Sequence, residues 1–199
     1  GGLWDSTNVI VPELSIITNV TLEHTEVLGK TVAAISEQKA GIIKPNVPVV
    51  TGAWDEALQV IKHKAEQTHS AVYAYGTQFE AGSPRFTAKE QTFTFKTDDN
   101  RQEFTIKLLG EHQLINAALA TMAAWLLCSQ EKTITVEAIR KGLYNTKWPG
   151  RLEIIADEPT VILDGAHNPS GITVLRKALD KYYPKGKRFF VFGMMKDKD

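Results

Sequence analysis

Two short stretches carry residue types that could do chemistry: Trp148-Pro-Gly-Arg-Leu-Glu153 and Val161-Ile-Leu-Asp-Gly-Ala-His-Asn-Pro-Ser170. In the second, Val161, Ile162 and Leu163 read as a short buried strand. Gly165, Asn168 and Pro169 then break the chain sharply before a helical pattern from Ile172. A polar cluster at the carboxyl end of a strand in an open α/β sheet is where such sheets bind ligands. Asp164, His167 and Asn168 would there present an acceptor, a proton donor and an amide to a bound molecule. The plainer alternative is that Asp164 caps a turn and Asn168-Pro169 merely starts a helix. Arg151 leaves a tight turn after Pro149-Gly150. Its guanidinium fork suits paired phosphate oxygens, and the alternative is a surface salt bridge with Glu153.

Three more residues stand out. In Gly110-Glu-His-Gln-Leu-Ile-Asn-Ala-Ala118, Asn116 lies among Leu114, Ile115, Ala117 and Ala118, where an unpaired amide is costly. An adenine edge offers the donor and acceptor that an amide can match, and a partner within the protein would serve equally. Lys39 follows Ile35 by one turn near the end of an apolar helical pattern, with Gly41 just beyond. It either snorkels on a buried stem or is partly buried and chemically used. His24 follows a strand-like run and is flanked by Glu23 and Thr25; a hydrogen-bonded structural histidine is its plainer reading. Gly29-Lys30-Thr31 imitates the end of a P-loop, but the position five before Gly29 is His24 rather than glycine. No P-loop is read in this chain.

The elements that must position these residues follow from periodicity. Residues 14–20 form a β-branched strand, residues 31–40 a helix capped by Thr31, and residues 48–51 a second strand. Residues 54–67 form an amphipathic helix with Trp54, Leu58, Ile61 and Ala65 on one face, and residues 71–75 a third strand. The order β-α-β-α-β predicts a mainly parallel sheet flanked by helices. Residues 91–96 and 103–108 alternate strictly about Asp98-Asp99-Asn100, which predicts an inserted β-hairpin with one face buried. A long Ala-rich helix at 111–130 and a second helix at 136–144 come next. The turn-rich stretch 145–150 makes the best domain boundary, dividing the chain into 1–147 and 148–199. Strands at 152–155 and 161–163, a helix at 172–182 and a strand at 188–192 begin a second α/β unit.

Composition narrows the function class. Apolar content of 43% with 23% charged residues is ordinary for a folded protein. Lys+Arg and Asp+Glu stand at 23 each, so no global field favours nucleic acid or an anionic membrane. Cys128 sits alone in an apolar helical run, a small hydrophobe rather than part of a disulfide framework. Without a membrane-length apolar run or a signal peptide, a cytoplasmic location is expected. The chain starts at Gly1-Gly2-Leu3 and stops at Lys198-Asp199, and both ends read as cut from a longer protein.

Taken in order, seven pieces resemble the folylpolyglutamate synthase/dihydrofolate synthase family of the Mur ligase superfamily. They are Gly1-Gly-Leu-Trp-Asp-Ser-Thr-Asn8, Glu23-His-Thr25, Glu37-Gln-Lys-Ala-Gly-Ile-Ile-Lys-Pro45, Gly110-Glu-His-Gln113 with Asn116-Ala117, Trp148-Pro-Gly-Arg-Leu-Glu153, Asp164-Gly-Ala-His-Asn-Pro169, and Phe192-Gly193 with Asp197-Lys-Asp199. The resemblance implies a Mur ligase central domain followed by the start of a Rossmann-like C-terminal domain. It implies an ATP-dependent amide ligase that phosphorylates a folate or dihydropteroate carboxylate and joins L-glutamate to it through an acyl phosphate. By position, Asn116 would face adenine and Asp164 ribose. Arg151 and His167 would reach the transferring phosphate or the acyl-phosphate intermediate. His24 would bind Mg²⁺ together with Lys39 as a carbamate, and Asp5 would lie near the pterin. The protein is expected to be a monomer, and this segment by itself is not expected to turn over. A peptidoglycan-precursor ligase is the rival within the superfamily, although His167-Asn168 stand where those enzymes usually carry Lys. A non-catalytic nucleotide-binding fragment is the rival outside it.

Overall fold

A computed structural model of the chain describes residues 2–22, 28–128 and 134–193. Its elements run β1 (Ser15–Ile17), α1 (Val32–Ala40), β2 (Val49–Thr51), α2 (Asp55–Gln67), β3 (Val72–Ala74), β4 (Phe79–Phe86), β5 (Gln91–Thr97), β6 (Arg101–Ile106), α3 (Glu111–Cys128), α4 (Val136–Asn145), β7 (Glu153–Asp157), β8 (Thr160–Leu163) and α5 (Pro169–Tyr182). The first three strands pair in parallel in the order β1-β2-β3, with Ser15 opposite Val49 and Val49 opposite Val72. All of β2 is buried, as expected for a strand covered on both faces. Side chains alternate along it, so Val49 enters one core and Val50 another. Val49 packs with Ile35 of α1 and Ala57, Ile61 and Ala65 of α2. Val50 joins Leu114, Ala118 and Leu119 of α3 and the aromatic rings of the antiparallel sheet.

Thr31 caps α1 as its position predicts, its hydroxyl accepting the Ala34 amide at 3.1 Å. In α2 the buried stripe is Ala57, Ile61 and Ala65, while Trp54 is exposed. Trp54 occupies the N-cap position, outside the helical turn. Its side chain therefore does not share the direction of the stripe that residues four apart form.

The inserted region is larger than a hairpin. β5 and β6 pair as expected, Phe93 opposite Phe104, and β4 adds a third antiparallel strand at the edge. Gly82-Ser83-Pro84 hides β4 from a periodicity reading. The register shifts between Gly82 and Arg85, and Ser83 takes a positive φ of 49°. Such a bulge lets an edge strand accommodate proline.

The C-terminal segment departs further from expectation. β7 and β8 form an antiparallel pair. Val161 and Leu163 are exposed, so this is not the buried strand their residue types suggest. Leu152, Ala178 and Leu109 instead form a small core, with Ile154, Ile162, Leu175, Leu179 and Tyr182 packed on it. Residues 188–192 form no strand, and Phe189 is 90% exposed. Strand propensity acts through neighbours on a sheet, and no described residue pairs with this run. No helix among the described residues is long and apolar enough to cross a membrane.

These burial differences set stability. Phe104 is fully buried among Phe93 and Phe95. Phe104→Ala should cost about 3–5 kcal/mol in urea unfolding, whereas Phe190→Ala should stay within about 0.5 kcal/mol. Equal midpoints for the two variants would contradict this division of the core.

Candidate functional site

Paired turns bring the two motif stretches together. The Gly165 amide donates to the Gly150 carbonyl at 2.8 Å. Asp164, at the end of β8, is half-buried and spans both turns. Its Oδ2 accepts the Leu152 amide and its Oδ1 the Ala166 amide, each at 2.8 Å. Leu152 has a φ of +46°, uncommon for a branched apolar residue. The hydrogen bond to Asp164 and burial of the Leu152 side chain hold it there. Asp164 thus builds the turn, which is the plainer of its two readings. A carboxylate has about four lone-pair sites, so this leaves capacity for a ligand.

Arg151 is exposed and lies over Gly165; a Cβ at that glycine would stand 2.5 Å from Arg151 Nη1. The local pairing differs from an Arg151–Glu153 bridge. Glu153 Oε2 accepts the Gly150 amide at 2.8 Å, and Arg151 Nη1 donates to the Gly150 carbonyl at 3.3 Å. His167 is exposed, with Nδ1 2.9 Å from the Gly165 carbonyl. A carbonyl only accepts, so that contact calls for a proton on Nδ1. Asn168 caps α5, its Oδ1 accepting the Gly171 amide at 2.7 Å, with Pro169 opening the helix. For Asn168 the helix-start reading is the observed one.

The start of α3 faces these turns. Gly110 has a φ of +107°, and a Cβ there would meet the His112 ring at 2.6 Å, two reasons for glycine at this position. His112 Nδ1 is buried and has no hydrogen-bond partner. Burial holds the His112 pKa below its ordinary value; the Asp164 charge pulls it up and that of Arg151 pushes it down. Leu109, just before Gly110, packs with Leu152, just after Arg151, and this brings the α3 entry to the Arg151–Asp164 segment. Asn116 is exposed rather than packed among its apolar neighbours, because the helix turns Leu114, Ala117 and Ala118 inward. Its Nδ2 donates to Gln113 Oε1 at 3.1 Å, so a partner within the protein does exist. Sequence reasoning singled out Asn116 and passed over His112 and Gln113. The signal for them was a polar first turn on an otherwise apolar helix.

Lys39 and Asp5 lie elsewhere. Half-buried Lys39 lines a cavity of about 390 Å³ with Thr7, Asn8, Thr18, Asn19 and Lys44, running along the whole of β1, an edge strand of its sheet. Asn8 ties this wall to α1, its Nδ2 donating to the Leu3 and Gly41 carbonyls at 3.1 and 3.2 Å. Asp5 is exposed and caps a 3₁₀ turn, Ser6–Val9, by accepting from the Thr7 amide at 2.9 Å and hydroxyl at 2.5 Å. Those bonds from Thr7 hold its carboxyl below the usual pKa. His24 falls outside the described residues, and among those described no group of three or more His, Cys, Asp or Glu could hold a metal. An unmodified lysine has donors only, so Lys39 fits a divalent cation only as a carbamate, whose oxygens are suitable ligands.

Residues 4–124 match the Mur ligase middle domain, and residues 150–199 match the Mur ligase glutamate ligase domain. The chain belongs to the Mur ligase family. Over its whole length it is 40% identical to the dihydrofolate synthase/folylpolyglutamate synthase of Bacillus subtilis, of which it covers 47%. An FPGS–AMPPCP complex is similar over 93% of this chain and 46% of that one, with a TM-score of 0.88 at 39% identity. An FPGS–AMPPCP–folate complex is similar over 89% of this chain and 44% of that one, with a TM-score of 0.85 at 39% identity. The chain spans about half the length of the curated relatives it matches. His112, Gln113 and Asn116 lie in the first Mur ligase match and Arg151, Asp164 and His167 in the second.

The buried His112 has a testable consequence. Its folded pKa lies below the unfolded value near 6.5, so in between the unfolded chain binds more protons and stability falls as pH falls. The contribution is complete above the unfolded pKa and is lost as pH drops through the window down to the folded pKa. Urea unfolding from pH 7.5 to about 5.5 should therefore show a loss of stability that His112→Phe reduces. An unchanged slope in the variant would remove His112 as its source.

Proposed function

We propose that the whole protein containing these residues is an ATP-dependent amide ligase that adds L-glutamate to a folate or dihydropteroate acceptor. The observation that carries this reading is the meeting of the polar α3 entry with the Arg151–Asp164 segment, where Leu109 packs on Leu152 and the Gly110 amide bonds Tyr182, across the two parts that match the Mur ligase family. The similar complexes with AMPPCP, and with AMPPCP and folate, support it. We divide the chain into 1–147 and 148–199, so that the site lies between two domains. These residues contain no P-loop pattern, and turnover is expected of the whole protein rather than of this segment.

In this reading the Asn116 amide, oriented by Gln113, takes the adenine edge, and Asp164 accepts from the ribose hydroxyls with its remaining lone pairs. A carboxylate oxygen of the acceptor attacks the γ-phosphorus, and the bond to the ADP oxygen breaks. The glutamate nitrogen then attacks the acyl carbon, loses a proton, and inorganic phosphate departs with its oxygen. Arg151, exposed on its turn, presents its fork to the transferring phosphoryl group, where negative charge develops. His167 reaches the same phosphate, and Asp5 lies toward the pterin. His24 and carbamylated Lys39 would hold Mg²⁺, which neutralises charge on the phosphate oxygens when bound.

Arg151 separates this reading from a structural one. Arg151→Ala in the whole protein, assayed with ATP, Mg²⁺, glutamate and dihydropteroate or tetrahydrofolate, should lower kcat by about 10²-fold or more. Arg151→Lys should recover little, since a point charge cannot replace two parallel hydrogen bonds. Near-normal kcat in both variants would end the assignment. For Lys39, ¹³C-labelled bicarbonate should yield a carbamate resonance that Lys39→Ala abolishes; no such resonance in the unmutated protein would remove the carbamate.

A further inference from the structure

The C-terminal segment is seated on the rest of the chain through a small contact. Its apolar part is the cluster of Leu109, Leu152 and Ala178, with a few half-buried neighbours. Apolar burial is non-directional, so such a contact holds two parts together without defining their angle. The polar contacts beside it are directional, and they converge on two adjacent residues at the end of α5, Tyr182 above all. Tyr182 donates its hydroxyl hydrogen to Gln91 Oε1 at 3.0 Å and accepts the Gly110 amide at 3.2 Å. Gln91 is fully buried, and its Nε2 donates to the Leu108 carbonyl at 2.6 Å and the Gly110 carbonyl at 2.8 Å. The Tyr182 ring stands edge-on to Phe86, their centroids 6.2 Å apart. Lys181 reaches Glu111 at 2.6 Å and lies over the Phe86 ring.

Gly110 opens the turn that leads into His112, Gln113 and Asn116, while α5 follows directly on the Asp164–Asn168 loop. Tyr182 is therefore bonded to one half of the candidate nucleotide site and covalently continuous with the other. We infer that Tyr182 is a positioning residue of that site, holding the α3 entry turn in register with the Arg151–Asp164 turn so that one nucleotide meets both. This rests on the nucleotide reading proposed above. Tyr182 itself touches no ligand in this scheme; it acts through the Gly110 turn.

Tyr182→Phe removes the hydroxyl and keeps the ring, and in the whole protein two measurements read its effect. Hydrogen exchange at the Gly110 amide should accelerate. Calorimetric titration with AMPPCP should give a dissociation constant raised roughly fivefold to tenfold, the equivalent of about one hydrogen bond, at unchanged stoichiometry. A variant that merely unfolds in part would lower the stoichiometry and leave the dissociation constant alone, which would overturn the positioning role. Unaltered Gly110 exchange, or an unaltered dissociation constant at full stoichiometry, would overturn it as well. If the unmutated protein bound no AMPPCP while Gly110 exchange still depended on Tyr182, the nucleotide reading would fall and the positioning role with it. The contact between α5 and the turn would then stand as structural alone.

Discussion

A single buried amide decides where the antiparallel sheet ends and α3 begins. Gln91 heads β5 with no exposure to solvent, and its side chain binds the Leu108 and Gly110 carbonyls and the Tyr182 hydroxyl. Leaving such a group unpaired in the interior would cost about 1–3 kcal/mol, so the backbone from Leu108 to Gly110 follows the amide. Gly110 can take the required positive φ because it has no side chain. From that turn α3 sets out along the sheet, packing Leu114, Ala118 and Leu119 toward Val50 and the aromatic cluster. The same turn brings Leu109, Gly110 and Glu111 against the C-terminal segment, with His112, Gln113 and Asn116 following on the first turns of α3. Core and candidate site share one point of origin.

Polar side chains in the motifs serve the backbone first. Asp164 accepts two amides, Asn168 caps α5, Asp5 caps the 3₁₀ turn and Asn8 ties the N-terminal segment to α1. This does not compete with ligand binding. A carboxylate or amide whose rotamer is set by a local bond presents its remaining lone pairs in a defined direction, which favours a preorganised site. Arg151 differs: its guanidinium lies on the open side of the turn, and Glu153 is engaged with the Gly150 amide. That leaves the fork available to an anion instead of committed to a neighbouring carboxylate.

The candidate site has two separated parts. The proposed nucleotide side, around His112, Asn116, Arg151, Asp164 and His167, draws on the α3 entry and the C-terminal segment packed against it. The Lys39 cavity runs along β1, lined by that strand, Thr18, Asn19 and the N-terminal strap. The strap of Thr7 and Asn8 forms the far wall of that cavity.

Much was legible in the sequence because it depends on near neighbours. Alternation in residues 91–96 and 103–108, the helix start at Thr31, and the β-α-β-α-β order are set by side-chain period and capping chemistry. The order of the motifs by itself resembles that of the Mur ligase family. Other features needed the tertiary structure. Strand β4 depends on pairing with β5 across a bulge, and of β8 it is Ile162 that packs into the small core while Val161 and Leu163 are exposed. Asn116 looked buried from its neighbours, yet the direction in which α3 packs turns it outward. His112 carried no distinguishing mark until the fold buried its Nδ1 without a hydrogen-bond partner. Gly110 and Tyr182 meet across 72 residues. Local period dictates which face of an element is apolar, but which elements meet, and at what angle, is settled by long-range burial and hydrogen bonding that no short window of sequence contains.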